Sequence, residues 1–552
     1  MRRAWIAYAA VAAFLALFVV APIAFATVAG ASPWLIGEVL AHPAYRAGLG
    51  NALLVAACTT AIAFVLATPT AWLAARCRFR GRGIAEALLL APLVLPPFVG
   101  AIGVAQLAGQ YGAFNAVGAA LGLWPDGGGP DWLGGHRFAL VVALEALGLY
   151  PILHLTLRAS FTALDPALIE AARSLGARWP RVCARVIVPL VAPGAFAGGA
   201  VVFVWSFTEL GTPLMLGFDR HVAVQVFVGL ADAGANRTPY ALVLVMLAVA
   251  ALVFAAGRRL TAGDVVALRG GLGASPRALG GWRALAAWAP FALVAGAALA
   301  PFIAVALIGL SRDWYRGVLP EGATWEHARA ALAHPHVVPG IVNSLRFSAA
   351  ATVLAVGVAT FIAWCGARWR PRGWRVLDAV AMTPLAVPGV VMAFGFLALG
   401  TAALPRWLDP LTNPGPLLIV AYAVRRLPHA LRAVGAGFAH VPPSLEEAAA
   451  ACGAGPWLRA RHVLMPLLAP SLAAAALLTF SSSMLEVSDS LVLAQRRAAW
   501  PITRVIYDLV HVIGPGPALA CAFATWATLF LAACLAAAVA CLRAARDQAL
   551  SR

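Results

Sequence analysis

Twelve apolar stretches, each close to the length a helix needs to cross a lipid bilayer, follow one another along these 552 residues. They fall near 4–28, 48–75, 84–108, 138–157, 186–210 and 239–257, then near 284–310, 341–366, 376–402, 415–434, 463–485 and 517–542. Hydrophobic residues make up 62% of the chain and charged residues 11%, against about 25% charged in an ordinary soluble domain. That much apolar surface has no place inside a water-soluble core of this size, so bilayer is the expected solvent. Prolines within the stretches, such as Pro92 and Pro384, are tolerable where neighbouring helices satisfy the freed carbonyls. The first stretch contains Ala-Phe-Ala, a pattern also seen at signal-peptide cleavage sites. Its apolar run from Ala4 to Val28 exceeds the roughly 7–15 residues of a signal core, so a retained first helix is expected.

Net charge is +18, and every basic residue apart from histidine is arginine. The arginines sit in short clusters between apolar runs rather than along one stripe with interleaved aromatics, which argues against nucleic acid as a partner. Placing the N-terminus in the cytoplasm puts Arg76, Arg78, Arg80 and Arg82 in one inner loop. Arg258, Arg259, Arg269, Arg277 and Arg283 fall in another, Arg368, Arg370, Arg372 and Arg375 in a third, and Arg543, Arg546 and Arg552 in the tail. The opposite loops carry mixed charge: Asp126, Asp131, Asp219, Arg220, Arg312, Asp313, Glu321 and Glu326. This positive-inside alternation predicts a multi-pass protein of a bacterial inner membrane, in contact with lipid, with both termini cytoplasmic. The eight cysteines form no CxxC pair or metal-ligand spacing, so neither a disulfide framework nor a zinc site is expected.

The chain also repeats itself. Asn51, Trp72, Pro92 and Pro96 return as Asn343, Trp364, Pro384 and Pro388, at an offset of 292. Glu170, Gly176, Pro189 and Pro193 return as Glu447, Gly453, Pro466 and Pro470, at an offset of 277. The difference falls in the outer loop around Trp124–Asp131, where insertion is cheap. The expected fold is an all-α polytopic membrane protein of about twelve transmembrane helices in two parallel-repeat, six-helix halves. Their domains are 1–270 and 271–552, joined through the small-residue linker Gly270–Pro276.

One segment recurs after the fourth predicted span of each half, near 165–178 and 442–455. The first reads Asp165-Pro-Ala-Leu-Ile-Glu170-Ala171-Ala172-Arg-Ser-Leu-Gly176, with Pro189 beyond it. The second reads Pro443-Ser-Leu-Glu-Glu447-Ala448-Ala449-Ala-Ala-Cys-Gly453, with Pro466 beyond it. Each predicts a short helix capped by Asp165 or Ser444, slim at its alanine pair, and stopped by a glycine able to turn left-handed. Such a helix suits a rigid peg reaching into a partner's groove.

Glu-Ala-Ala, a glycine six residues after the glutamate, and a following hydrophobic-x-x-Pro resemble the signature of permeases in binding-protein-dependent ABC importers. Twelve spans in one chain are most similar to the fused iron(III)-type permeases, and the resemblance covers nearly the whole chain. It implies that each half has the MetI-like permease fold and that each peg is a coupling helix. It also implies two cytoplasmic ABC ATPase subunits that use ATP and a periplasmic substrate-binding protein, with no cofactor bound by this chain. The cargo it suggests is ferric iron, with thiamine, 2-aminoethylphosphonate or polyamine as alternatives. An ion-gradient-driven secondary transporter is the alternative of another class, one that needs no peg. Glu209 and Glu486, offset by 277, with Ser482 and Asp489 beside the latter, are candidates for the translocation path, because a carboxylate within a bundle often marks one. No catalytic constellation is present, and without lysine no Walker-type phosphate loop is possible, so the chain is not expected to be an enzyme.

Overall fold

The computed structural model describes residues 2–93, 95–125, 128–229, 237–261 and 277–550. The proposed linker Gly270–Pro276, together with Asp126, Arg269 and Arg552, lies outside these residues. The protein is an all-α polytopic membrane protein; among the described residues its strands are four pieces of two or three residues, Cys77–Arg78 paired with Arg277–Ala278 and Ser311–Asp313 paired with Glu321–Ala323.

Among the described residues, eight helices are long and apolar enough to cross a bilayer: Ala4–Gly30, Pro43–Arg76, Arg137–Ala163, Trp179–Met215, Gly281–Leu310, Val337–Trp369, Pro456–Met484 and Gly516–Cys534. The expected twelve are not all met by these criteria among the described residues. Two of the predicted spans are bent pairs, Arg82–Leu93 with Pro97–Ala120 at 94° and Trp374–Leu385 with Gly389–Ala402 at 110°; counting each as one span gives ten. Proline causes the break: Pro96, Pro97 and Pro388 lack the N–H a helix needs and push the preceding residue out of the helical region. The remaining two stretches are helical but fall short by length or composition. Thr238–Val253 is a shorter apolar helix, and Pro414–His440 carries Arg425, Arg426 and Arg432.

The chain forms two compact units that cut across the repeat. One comprises residues 39–228 and 248–325, the other 1–38, 229–247 and 326–552. Each takes most of its helices from one repeat and its leading helix from the other. In the first unit the Gly281–Leu310 helix lies against Pro97–Ala108, and a Cβ on Gly103 would collide with the Pro301 carbonyl oxygen. In the second, Ala21–Gly30 lies against Gly389–Ala402, and a Cβ on Gly395 would collide with the Pro22 carbonyl oxygen. Gly103 and Gly395 share the 292 offset, so both units use one device: a missing side chain that lets two backbones touch.

Small residues also set the packing of the first unit. Ala63, Ala67, Ala71 and Ala74 form one buried stripe of the Pro43–Arg76 helix, against Tyr150, Leu153 and Leu157 of Arg137–Ala163. Spacing by three or four residues keeps them on one face. In the second unit the Val337–Trp364 and Pro414–His440 helices repeat this pairing, with Ala351, Ala355 and Ala359 buried.

Candidate functional site

The two pegs are built alike. Pro166–Ser174 and Pro443–Ala451 are nine-residue helices in which no residue is buried. Asp165 caps the first, its Oδ1 accepting from the Ala167 N–H at 2.9 Å. Ser444 does not cap the second: that helix starts at Pro443 after an extended Pro442, so Ser444 already lies inside it and no side chain caps it. The two C-termini match bond for bond. Gly176 N–H donates to the Arg173 carbonyl at 2.9 Å and Ala177 N–H to the Ala172 carbonyl at 3.0 Å. Gly453 N–H donates to Ala450 at 2.9 Å and Ala454 N–H to Ala449 at 3.0 Å. This is the paired 6→1 and 5→2 closure that stops a helix through one left-handed residue, with φ +80° at Gly176 and +82° at Gly453.

Glu170, Ala171, Glu447 and Ala448 are exposed, while Ala172 and Ala449 are half-buried. Leu175 is 88% exposed and Trp457 73%, and Leu168, Leu445 and Trp179 also stand in the open. Each peg thus offers apolar and acidic groups that its own unit does not cover. Pro189 and Pro466 sit in the first turn of the Val188–Phe207 and Met465–Met484 helices. Each follows a π-helical turn, Cys183–Ile187 or Ala460–Leu464, closed by the Val188 N–H on the Cys183 carbonyl and the Met465 N–H on the Ala460 carbonyl. Proline supplies no N–H and crowds the carbonyl four residues back, which the wider turn relieves.

Two arginines that loop charge alone had marked turn out to fix the pegs. Arg76 Nη2 donates to the Leu164 carbonyl at 2.8 Å, immediately before the first peg. Arg368 Nη2 donates to the Val441 carbonyl at 2.7 Å, and its Nε meets Glu446 Oε1 at 2.5 Å. They share the 292 offset and reach equivalent carbonyls, which the sequence could have disclosed had the loop arginines been aligned along with the prolines. In the first unit Glu86 also joins Arg82 and Arg158, each at 2.8 Å, tying the bent helix to the span that leads to the peg.

The acidic candidates divide between the units. In the second, Glu486 and Asp489 come together around the Pro414–His440 helix: Arg425 Nη1 lies 2.9 Å from Glu486 and 3.5 Å from Asp489, and Arg426 pairs with Glu486. Ser482 offers its carbonyl to Arg426 at 2.8 Å, while its hydroxyl donates to the Leu478 carbonyl at 2.6 Å. Tyr422 and Ser490 share a hydrogen bond of 2.6 Å behind them. Glu209 belongs to the first unit, where its Oε1 accepts from the Gly211 N–H at 3.1 Å. There the structure adds a carboxylate the sequence reading passed over: Glu145, 1% exposed, takes a hydrogen bond from Ser206. Among the described residues, no group of three or more His, Cys, Asp or Glu side chains could hold a metal ion, and the seven cysteines whose side chains are described are unpaired.

The chain thus carries two pegs of one design among its apolar helices. The chain belongs to the family of binding-protein-dependent transport system inner membrane components, whose sequence pattern it matches twice, at residues 67–263 and 355–541. Membership makes it a multi-pass inner membrane permease of an ABC importer and implies a periplasmic binding protein and ATPase partners. It is 31% identical to a probable molybdenum ABC transporter permease protein of Haloferax volcanii, over 44% of this chain and 86% of that one. It is 27% identical to a probable ABC transporter permease protein of Sinorhizobium fredii, over 82% and 80%. To the ferric transport system permease protein of Actinobacillus pleuropneumoniae it is 24% identical, over 80% of this chain and 63% of that protein.

Proposed function

We propose that this permease carries ferric iron into the cytoplasm, receiving it from a periplasmic binding protein and driven by two ABC ATPase subunits, one on each peg. The observation that supports this most is the duplicated, exposed and stiff peg, capped at its far end by the same pair of hydrogen bonds in both copies. A lever must transmit displacement without bending, and a nine-residue helix closed by a left-handed glycine and tethered by Arg76 or Arg368 meets that need. Glu170, Ala171, Ala172 and Gly176, with Glu447, Ala448, Ala449 and Gly453, form the ATPase-facing surfaces, and Pro189 and Pro466 set the angle of the spans behind them. The domains 1–270 and 271–552 are the two duplicated permease halves. Both pegs and both termini face the cytoplasm, and ATP is used by the partner subunits.

The ferric assignment draws on the resemblance to fused iron(III)-type permeases and on similarity to a relative named for ferric transport along 80% of this chain. The relative named for molybdenum matches 44% of this chain, which favours the longer match. Purification from membranes in which the neighbouring ATPase and binding protein are co-expressed, followed by labelled ferric iron uptake in proteoliposomes, tests the whole reading. ATP-dependent iron uptake is expected. A permease that purifies without an ATPase subunit and transports on an ion gradient alone refutes it.

A further inference from the structure

The peg ends of the two units differ at one ion-pair cluster. In the first unit Glu86, on the bent helix, holds Arg158 of the span that leads to the peg, and Arg82 on its own helix. By the 292 and 277 offsets the second unit has Asp378 in place of Glu86, Trp374 in place of Arg82 and Gly435 in place of Arg158. Its guanidinium has moved about one turn along the span, to Arg432, where the first unit has Leu155. A shorter carboxylate and a displaced arginine no longer meet: among the described residues no ion pair joins Asp378 to Arg432.

A cavity of about 610 Å³ opens there instead, within the roughly 300–1,000 Å³ of ordinary ligand clefts. Asp378, Arg432 and Gly435 line it, together with Arg368 and Arg370. Arg368 is already committed to Glu446 and the Val441 carbonyl. Arg370 gives its Nε to the Gly366 carbonyl at 3.2 Å and holds a left-handed backbone, φ +48°, which a non-glycine residue adopts at a cost and which recurs at ligand clamps. One carboxylate and two guanidiniums are thus left on the walls of one space. Polarity is graded along those walls. Ile362 lies six residues before Arg368 on one helix, Met382 a turn beyond Asp378 on the next, and Leu431 a turn before Gly435 on the third, all on the side away from the peg. A bare anion would answer the arginines and leave the carboxylate opposed, and a simple cation would do the reverse. An amphiphile with a phosphate and an ammonium on one headgroup answers every group.

We propose that this cavity binds the headgroup of a membrane phospholipid that carries a phosphate and a primary ammonium. The phosphate meets Arg370 and Arg432, the ammonium meets Asp378, and an acyl chain follows Ile362, Met382 and Leu431. The lipid does in the second unit what the Glu86–Arg158 pair does in the first: it ties the bent helix, here Trp374–Leu385, to the span ahead of the peg. The first peg is braced by the chain's own side chains, the second by the membrane.

The test uses the full-length permease, purified in detergent, stripped of lipid and offered phosphatidylethanolamine, phosphatidylcholine or phosphatidylglycerol at equal concentration. Native mass spectrometry counts the lipid retained. Expected is one phosphatidylethanolamine per chain, held at least tenfold more tightly than phosphatidylcholine, whose ammonium has no N–H to donate, or phosphatidylglycerol, which has no ammonium. Asp378→Asn and Arg432→Gln should each weaken retention at least tenfold while the unfolding temperature of the lipid-free protein stays unchanged. Gly435→Arg, which returns the first unit's guanidinium to the gap, should abolish it. Arg432 is exposed, so Arg432→Gln keeps the fold and decides the matter if either other variant fails to assemble. Phosphatidylcholine or phosphatidylglycerol held as tightly as phosphatidylethanolamine overturns the site, as does retention unmoved by Asp378→Asn and Arg432→Gln. Soluble phosphoethanolamine that displaces the lipid at equal concentration overturns the lipid and puts a free ligand in its place.

Discussion

Gly176 and Gly453 show how little of a residue's role lies in its size. A Cβ at either position would meet nothing within 4 Å, so the constraint is the positive φ and not the space. A residue with a side chain pays about 1–2 kcal/mol to hold that conformation, with asparagine the mildest of them. Replacing both glycines by valine is expected to abolish uptake and ATPase association while membrane insertion persists; the asparagine pair should keep a measurable fraction of both. Equal activity in the two pairs would place the constraint elsewhere. Arg76 and Arg368 give a second prediction at this scale. Each makes a charge-assisted bond to the carbonyl that leads into a peg, worth about 1.5–3 kcal/mol. Arg76→Ala combined with Arg368→Ala should lower ATP-dependent uptake about tenfold or more at unchanged expression, measured per mole of reconstituted complex.

Among the elements, the bent helices and the peg helices differ in how openly the sequence announces them. A peg is written locally: Pro at the first turn, Glu-Ala-Ala, Gly six residues after the Glu, and the same order again at a fixed offset. Its structure could be read almost bond by bond, apart from the missing Ser444 cap. The bends at Pro96–Pro97 and Pro388 were visible only as prolines, because whether a proline kinks a span or turns it through 110° depends on what packs around it. Arg425 and Arg426 stood in an otherwise apolar stretch whose partners lie some 60 residues away, so no local pattern could pair them with Glu486. Glu145 has no acidic counterpart in the second copy, and a search for repeats passes over what does not repeat. A third prediction belongs here. Gly103→Leu or Gly395→Leu would force apart two touching backbones, at a cost of at least the 1–3 kcal/mol of ordinary overpacking. Either should lower the unfolding temperature in detergent, read by tryptophan fluorescence, whereas Gly435→Leu, at an open position, should not.

For the whole molecule, the unit boundaries matter more than the repeat boundaries. A chain whose leading helices are traded between bundles cannot be cut in two at its midpoint without depriving each piece of a helix, so separately expressed halves should fold only when made together. The proposed orientation has its own check in Cys452, exposed on the second peg. A variant keeping Cys452 as its sole thiol should react with a membrane-impermeant maleimide in inside-out vesicles and resist it in intact cells. The π turns ahead of Pro189 and Pro466 carry a last consequence. Each holds one residue more than an α-helical turn would. Deleting a single amino acid from Cys183–Ile187 would narrow that turn to α-helical width and press the Pro189 ring against the carbonyl four residues before it, so a lesion that leaves every peg atom in place would bend the segment that carries the peg.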